Sequence, residues 1–93
     1  MRSIQTNNGP ISCGDTQRAD RRVRINGRPI VIVGDLSEGH EGFPPTPAIE
    51  GHKSVLVNGV PIVCFGDRYA NHSNGSATHT DRRAVEVTGV RAG

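Results

Sequence analysis

Six side chains in this sequence could support metal or thiol chemistry: Cys13, Cys64, His40, His52, His72 and His79. One thiolate and three imidazoles make a complete tetrahedral set for zinc, with no position left for water. Cys13, His40, His72 and His79 are the favoured set. His40 stands five residues after Asp35, and His72 stands five residues after Asp67. The fourth place is the open one. His79 shares a loop with His72, whereas His52 falls where the pattern described next puts the entrance to a strand. A lone loop histidine is more often solvated than bound, and the spacing matches no standard zinc finger. Cys64 lies in a β-branched run and reads as a small buried hydrophobe.

Those histidines are placed by an internal repeat. Residues 23–35, VRINGRPIVIVGD, align without gaps on residues 55–67, VLVNGVPIVCFGD, with eight of thirteen positions identical, too many for coincidence in so short a window. Self-similarity of this kind governs the reading of the whole chain. A shorter third copy is read at Val85-Glu86-Val87-Thr88-Gly89-Val90, with Asp81-Arg82-Arg83 upstream as Asp20-Arg21-Arg22 precedes the first. Each full copy spells a β-hairpin. A β-branched run meets Asn-Gly, which tolerates the positive φ of a type I′ turn, and a second run follows. Pro29 and Pro61 cannot donate to a ladder, so each must face away from a neighbouring strand or sit at a bulge. Twelve Gly and six Pro leave no sustained helical period. The chain is therefore expected to be all-β and a single domain, residues 1–93. Residues 36–54 and 68–84 read as loops, and loops of that length imply function or a constraint other than apolar packing.

Composition points the same way. Only 33% of the 93 residues are hydrophobic, with no Trp, one Tyr and two Phe. Apolar burial yields about 25 cal/mol per Å², while ordering each residue costs roughly 1.5 kcal/mol. A core this lean leaves the balance near zero, so a metal, a disulfide or a partner must contribute. The N-terminal MRSIQTNNGP lacks an apolar h-region, so synthesis in the cytoplasm is expected. In a reducing compartment Cys13 is better read as a ligand than as half of a disulfide. No run reaches the ~18–20 apolar residues of a membrane-spanning helix. The positive charge is grouped at Arg18, Arg21, Arg22, Arg24 and Arg28, then Arg82 and Arg83. Asp15, Asp20 and Asp81 interrupt it, and no aromatic residues stand by to stack on bases. A solvated face is the better reading, and no nucleic-acid partner is expected.

The doubled hairpin V-x-[IV]-N-G-x-P-x-x-x-x-G-D resembles the PAAR-repeat proteins, which cap the spike of bacterial type VI secretion systems; similar caps occur on contractile phage tails. The resemblance runs from about Ser12 to Gly89. Ile11-Ser12-Cys13-Gly14-Asp15 stands where the family has T-S-H-G-G, with Cys13 at the histidine. The eponymous tetrapeptide is absent, replaced by Pro29-Ile30-Val31-Ile32 and Pro61-Ile62-Val63-Cys64. The resemblance implies a small cone of β-hairpins with a pseudo-threefold internal repeat and a structural zinc near the pointed tip. It also implies a trimeric spike partner, VgrG-like or a phage central spike, with one cap per trimer and transient contact with a target membrane. The cap would end up at the spike tip, delivered into or through the target envelope. Val23, Ile25, Val55, Val57, Val85 and Val87 are the expected docking residues. No catalytic residue is expected. The competing readings are a binding module that uses the arginine-rich face, and a metallohydrolase using three histidines with Asp35 or Asp67 as base.

Overall fold

In the computed structural model, which describes residues 2–87 and 90–92, the chain is all-β and every strand pairing is antiparallel. Chain order gives β1 (Arg2–Ser3), β2 (Arg24–Ile25), β3 (Arg28–Pro29), β4 (His52–Val57), β5 (Val60–Ile62), β6 (His72–Ser73), β7 (Thr78–His79) and β8 (Arg91–Ala92). The strands pair as β1–β8, β2–β3, β4–β5 and β6–β7. Both repeat hairpins turn as their Asn-Gly pairs demand, with φ 54° and 78° at Asn26-Gly27 and 51° and 83° at Asn58-Gly59. Both central residues are left-handed, which is the type I′ turn. Among the described residues there is no helix long and apolar enough to cross a membrane.

The third unit is built differently from the sequence reading. Val23 leads into β2 and its copy Val55 lies within β4, each paired across an Asn-Gly turn, but Val85-Glu86-Val87 joins no strand. Instead Arg91 pairs with Ser3 and Ala92 with Arg2, so the chain's two ends close a third antiparallel pair. Ile4 N–H donates to Val90 O at 2.9 Å as Ile30 N–H donates to Val23 O at 2.9 Å. Val90-Arg91-Ala92 is thus the counterpart of Val23-Arg24-Ile25, five residues later than the apparent match at Val85. A strand takes its place from the edge that hydrogen-bonds it, and here that edge is the N-terminal segment. Part of the short third copy, Thr88 and Gly89, lies outside the described residues.

The three units meet through backbone hydrogen bonds in cyclic order. Val31 N–H donates to Gln5 O at 3.1 Å, Val63 N–H to Val31 O at 2.9 Å, and Gln5 N–H to Val63 O at 2.9 Å. Just before these positions stand Ile4, Ile30 and Ile62, which pack with Cys64 and Ala92 in one small buried cluster. A second cluster joins Ile11, Val31, Ala48, Val63, Tyr69 and Ala84. Neither contains a residue larger than Tyr69, in keeping with the lean composition.

Each unit also carries a carboxylate that accepts from its own backbone, half-buried at Asp35 and buried at Asp67 and Glu86. Asp35 accepts from Ile32 N–H and Asp67 from Cys64 N–H, both at 2.9 Å. Gly9 occupies the third such place, since its N–H bonds Thr6 O as those of Asp35 and Asp67 bond Ile32 O and Cys64 O. There Glu86 supplies the missing group, accepting from Thr6 N–H at 2.6 Å. Arginines neutralise all three: Arg21 on Asp35, Arg2 on Asp67 at 2.6 Å, and Arg28 on Glu86 at 2.9 Å.

From this body three loops leave on matching stems, where Ile11 N–H meets Asp15 O, Ser37 N–H meets Thr46 O, and Tyr69 N–H meets Arg82 O, at 2.8–2.9 Å. Bridges Ile11–Ala84, Gln17–Ser37 and Ala48–Tyr69 link each stem to its neighbour. The loops, residues 12–14, 38–45 and 70–81, differ in length but start from equivalent points.

Candidate metal centre

The three loops carry the four expected ligands to one place. Donor atoms of Cys13, His40, His72 and His79 all lie within 4.8 Å of one another. Cys13 Sγ is 3.8 Å from both His40 Nε2 and His72 Nε2, and His72 Nε2 is 3.0 Å from His79 Nδ1. Tetrahedral zinc, with bonds of about 2.3 Å to sulfur and about 2.0–2.1 Å to nitrogen, sets donor separations near ~3.6 Å (S to N) and ~3.3 Å (N to N). The side chains need only shifts of a few tenths of an ångström on those pairs. The cluster can hold a metal ion such as zinc.

Local sequence explains how each donor is aimed. Cys13 sits in a tight turn closed by Gly14 N–H on Ile11 O at 3.0 Å, with Gly14 at φ 97°. His40 and Phe43 exchange two backbone bonds, at 2.7 and 3.1 Å, around Glu41 (φ 48°) and Gly42 (φ 81°), a second kind of I′ corner. His72 and His79 are direct cross-strand partners of β6–β7, and such partners have neighbouring side chains. The segment 68–84, read from sequence as a loop, thus contains a hairpin. Its Asn74-Gly75 was the available signal: Asn74 Oδ1 accepts from Ser76 and Ala77 N–H at 2.9 Å each, and Gly75 has φ 91°.

His72 is the buried member, and its Nδ1 faces Pro44 O at 3.0 Å. Donation to that carbonyl fixes the tautomer that leaves Nε2 free as a ligand, the usual outer support of a metal-bound histidine. Burial lowers the pKa of His72; Arg82 lowers it further, while the Pro44 carbonyl and Asp15 oppose the shift. The neutral form that a metal requires is therefore the favoured one.

Two residues that sequence reasoning did not assign complete the site. Phe43 is buried and stacks on His79, with centroids 3.9 Å apart and planes at 16°, and its ring lies 4.6 Å from that of His72. It shields the imidazoles from water on that side. Arg82, grouped above with a solvated basic face, is wholly buried against Asp15 at 2.8 Å. Nor does it match Arg21; its stem position is that of Asp15 and Thr46. A single arginine in a polar run carries no sequence signal of burial.

The other candidates are elsewhere. His52 opens β4 opposite Ile62 and is not part of the cluster; its Nε2 is buried without a hydrogen-bond partner among the described residues. Cys64 is fully buried in the isoleucine cluster, and burial raises its thiol pKa. The six expected docking residues do not form a uniform set. Val23, Val55 and Val87 are exposed, but Ile25 and Val57 pack against the isoleucine cluster, and Val85 is half-buried. Strand registry decides this: Ile25 and Val57 flank the turns and close over the cluster, whereas Leu56, next to Val57 on β4, is 53% exposed.

Comparison with protein families, curated proteins and solved structures finds no match to this chain.

Proposed function

We propose that this protein is a metal-pinned structural cap for the tip of a trimeric β-helical spike in a contractile injection machine, of the PAAR-repeat kind, and has no catalytic role. The observation that carries the reading is the cyclic bonding of Gln5, Val31 and Val63, which joins three units around one line. A single chain with three equivalent faces is suited to end a threefold partner, whose terminal strand edges otherwise remain unpaired and adhesive. Exposed Val23, Val55 and Leu56 on the hairpin side supply apolar contact for such a face.

The candidate metal centre supports this reading from the loop side. Three loops leave the body at equivalent stems, and the Cys13, His40, His72 and His79 donors tie them where buried apolar mass is scarce. In this reading the molecule narrows towards that site, and its long dimension (37 Å against 23 and 21 Å) lies along the spike. Four protein donors complete a tetrahedral zinc, so the ion serves structure rather than hydrolysis. The cap is made in the cytoplasm, joins the spike tip and meets the target membrane only in passing. Co-expression with a candidate VgrG-like or phage central spike tests the proposal. Light scattering is expected to give one cap per trimer. A complex with three caps per trimer, or free cap beside every spike from the same genome, would count against it.

A further inference from the structure

We propose that Arg82 is a positioning residue of the metal centre, holding the Cys13 sulfur by an N–H···S hydrogen bond and tying the three ligand-bearing loops together behind it. This rests on the metal reading of the Cys13, His40, His72 and His79 cluster.

The guanidinium is completely buried, and its donors are fully used. Nε–H points at Cys13 Sγ at 3.2 Å. One terminal nitrogen donates to Ala70 O at 2.7 Å and to Thr46 Oγ1, and the other to Asp15 Oδ2 at 2.8 Å and Ser37 Oγ at 3.3 Å. Five N–H donors thus meet five acceptors. Those acceptors come from every loop. Cys13 lies in the first and Asp15 in its stem, Ser37 and Thr46 form the stem of the loop bearing His40, and Ala70 opens the loop bearing His72 and His79. Asp15 extends the connection, since its Oδ1 accepts from Gly39 N–H at 2.9 Å, one residue before His40.

A buried ion pair is a poor way to gain stability, because desolvation consumes most of the attraction. Burying Arg82 and Asp15 here has a different result: the cysteine sulfur and the loop bases are held in register before a metal arrives. The planar fork matters. A lysine offers a point charge and cannot span sulfur, carboxylate and carbonyl at once. Outer partners of this kind typically change metal affinity by about 10–100-fold.

Arg82→Lys keeps the charge opposite Asp15 and removes the fork. Zinc affinity, measured by competition with a chromophoric chelator, is expected to fall about 10–100-fold. In the cobalt(II)-substituted variant the sulfur-to-metal charge-transfer band is expected to move to lower energy, because the sulfur has lost a hydrogen-bond donor. Unchanged affinity with an unmoved band overturns the proposal. So does weaker binding with an unmoved band, which is what a purely structural role produces. Should Arg82→Lys not fold, the wild-type chain loaded with ¹¹³Cd and labelled with ¹⁵N decides. Arg82 Nε–H is expected to exchange slowly with solvent and to show scalar coupling to cadmium through the sulfur. Bound cadmium without that coupling refutes the role of Arg82, whereas failure to bind zinc, cobalt or cadmium at all refutes the metal reading instead.

Discussion

Replacing Glu86 by Ala, alone and together with Gly9→Asp, tests whether the three units are built on one plan. Glu86 stands in for the aspartate that Gly9 lacks. Its side chain is 6% exposed and accepts from Thr6 N–H at 2.6 Å, from Thr6 Oγ1 at 2.8 Å and from Arg28 at 2.9 Å. Hydrogen bonds to a charged partner contribute about 1.5–3 kcal/mol each when the partner is buried. The Arg28 bond is discounted because that side chain is 45% exposed. With the two Thr6 bonds counted, Glu86→Ala is therefore expected to cost about 3–6 kcal/mol. For a domain of this size each kcal/mol moves Tm by roughly 4–8 °C, so Tm should fall by at least ~12 °C. Gly9→Asp in the wild-type background is also destabilising. A Cβ there overlaps the Glu86 carboxylate and comes within 2.8 Å of Thr6 O, and it brings a second negative charge into one buried site. In the double variant the overlap with the Glu86 carboxylate and the repulsion vanish, while the close approach to Thr6 O remains and is common to the Gly9→Asp single variant. A carboxylate at position 9 then replaces Glu86 as acceptor for Thr6 N–H, as Asp35 accepts from Ile32. Urea unfolding of the zinc-loaded proteins should show the double variant more stable than the sum of the singles by ~2 kcal/mol or more. Contacting residues commonly couple by that much. Additivity within ~0.5 kcal/mol would show that the Gly9 place is not equivalent to Asp35 and Asp67, and the threefold reasoning would fail with it.

Metal analysis should find about one zinc per chain, and chelation should lower the stability by about 4 kcal/mol at a free zinc level ~1,000 times Kd, read as a large drop in Tm. Cys13→Ser should abolish stoichiometric zinc, whereas Cys64→Ser should retain it and lose ~1–3 kcal/mol from placing a hydroxyl among isoleucines; equal effects on zinc content would undo the ligand assignment. His79→Ala should lose zinc while His52→Ala keeps it, by the same metal analysis. The metal-free chain should lose stability as pH falls below ~6.5, the unperturbed histidine value. The folded His72 has the lower pKa, so the unfolded chain takes up the proton first; thermal melts between pH 8 and 5 that show no such loss would contradict the buried, neutral His72.

The hairpins were legible because their information is local. Asn26-Gly27 and Asn58-Gly59 dictate left-handed turns by sterics alone, and the offset of His40 and His72 from Asp35 and Asp67 marked equivalent loops. The candidate ligands Cys13, His40 and His72 were readable from that equivalence together with the poverty of the core, whereas the fourth place was open between His79 and His52 until the β6–β7 pairing set His79 beside His72. The β6–β7 hairpin was equally available in Asn74-Gly75, but the polar run around it, with no Val or Ile on either side of the turn, masked it.

What required the folded chain was everything set by contact between distant segments. Residue similarity put the third copy at Val85, whereas hydrogen bonding to Arg2–Ser3 puts it at Val90, and no local preference encodes which edge a strand will find. Glu86 filling the place of Gly9, and Arg82 buried against Cys13 and Asp15, follow from the same closure. A carboxylate or guanidinium in a polar run has the same local propensities whether it faces water or a buried partner. Turn chemistry is a property of a dipeptide; burial and pairing belong to the assembled molecule, because only there does a charge exchange water for a specific partner.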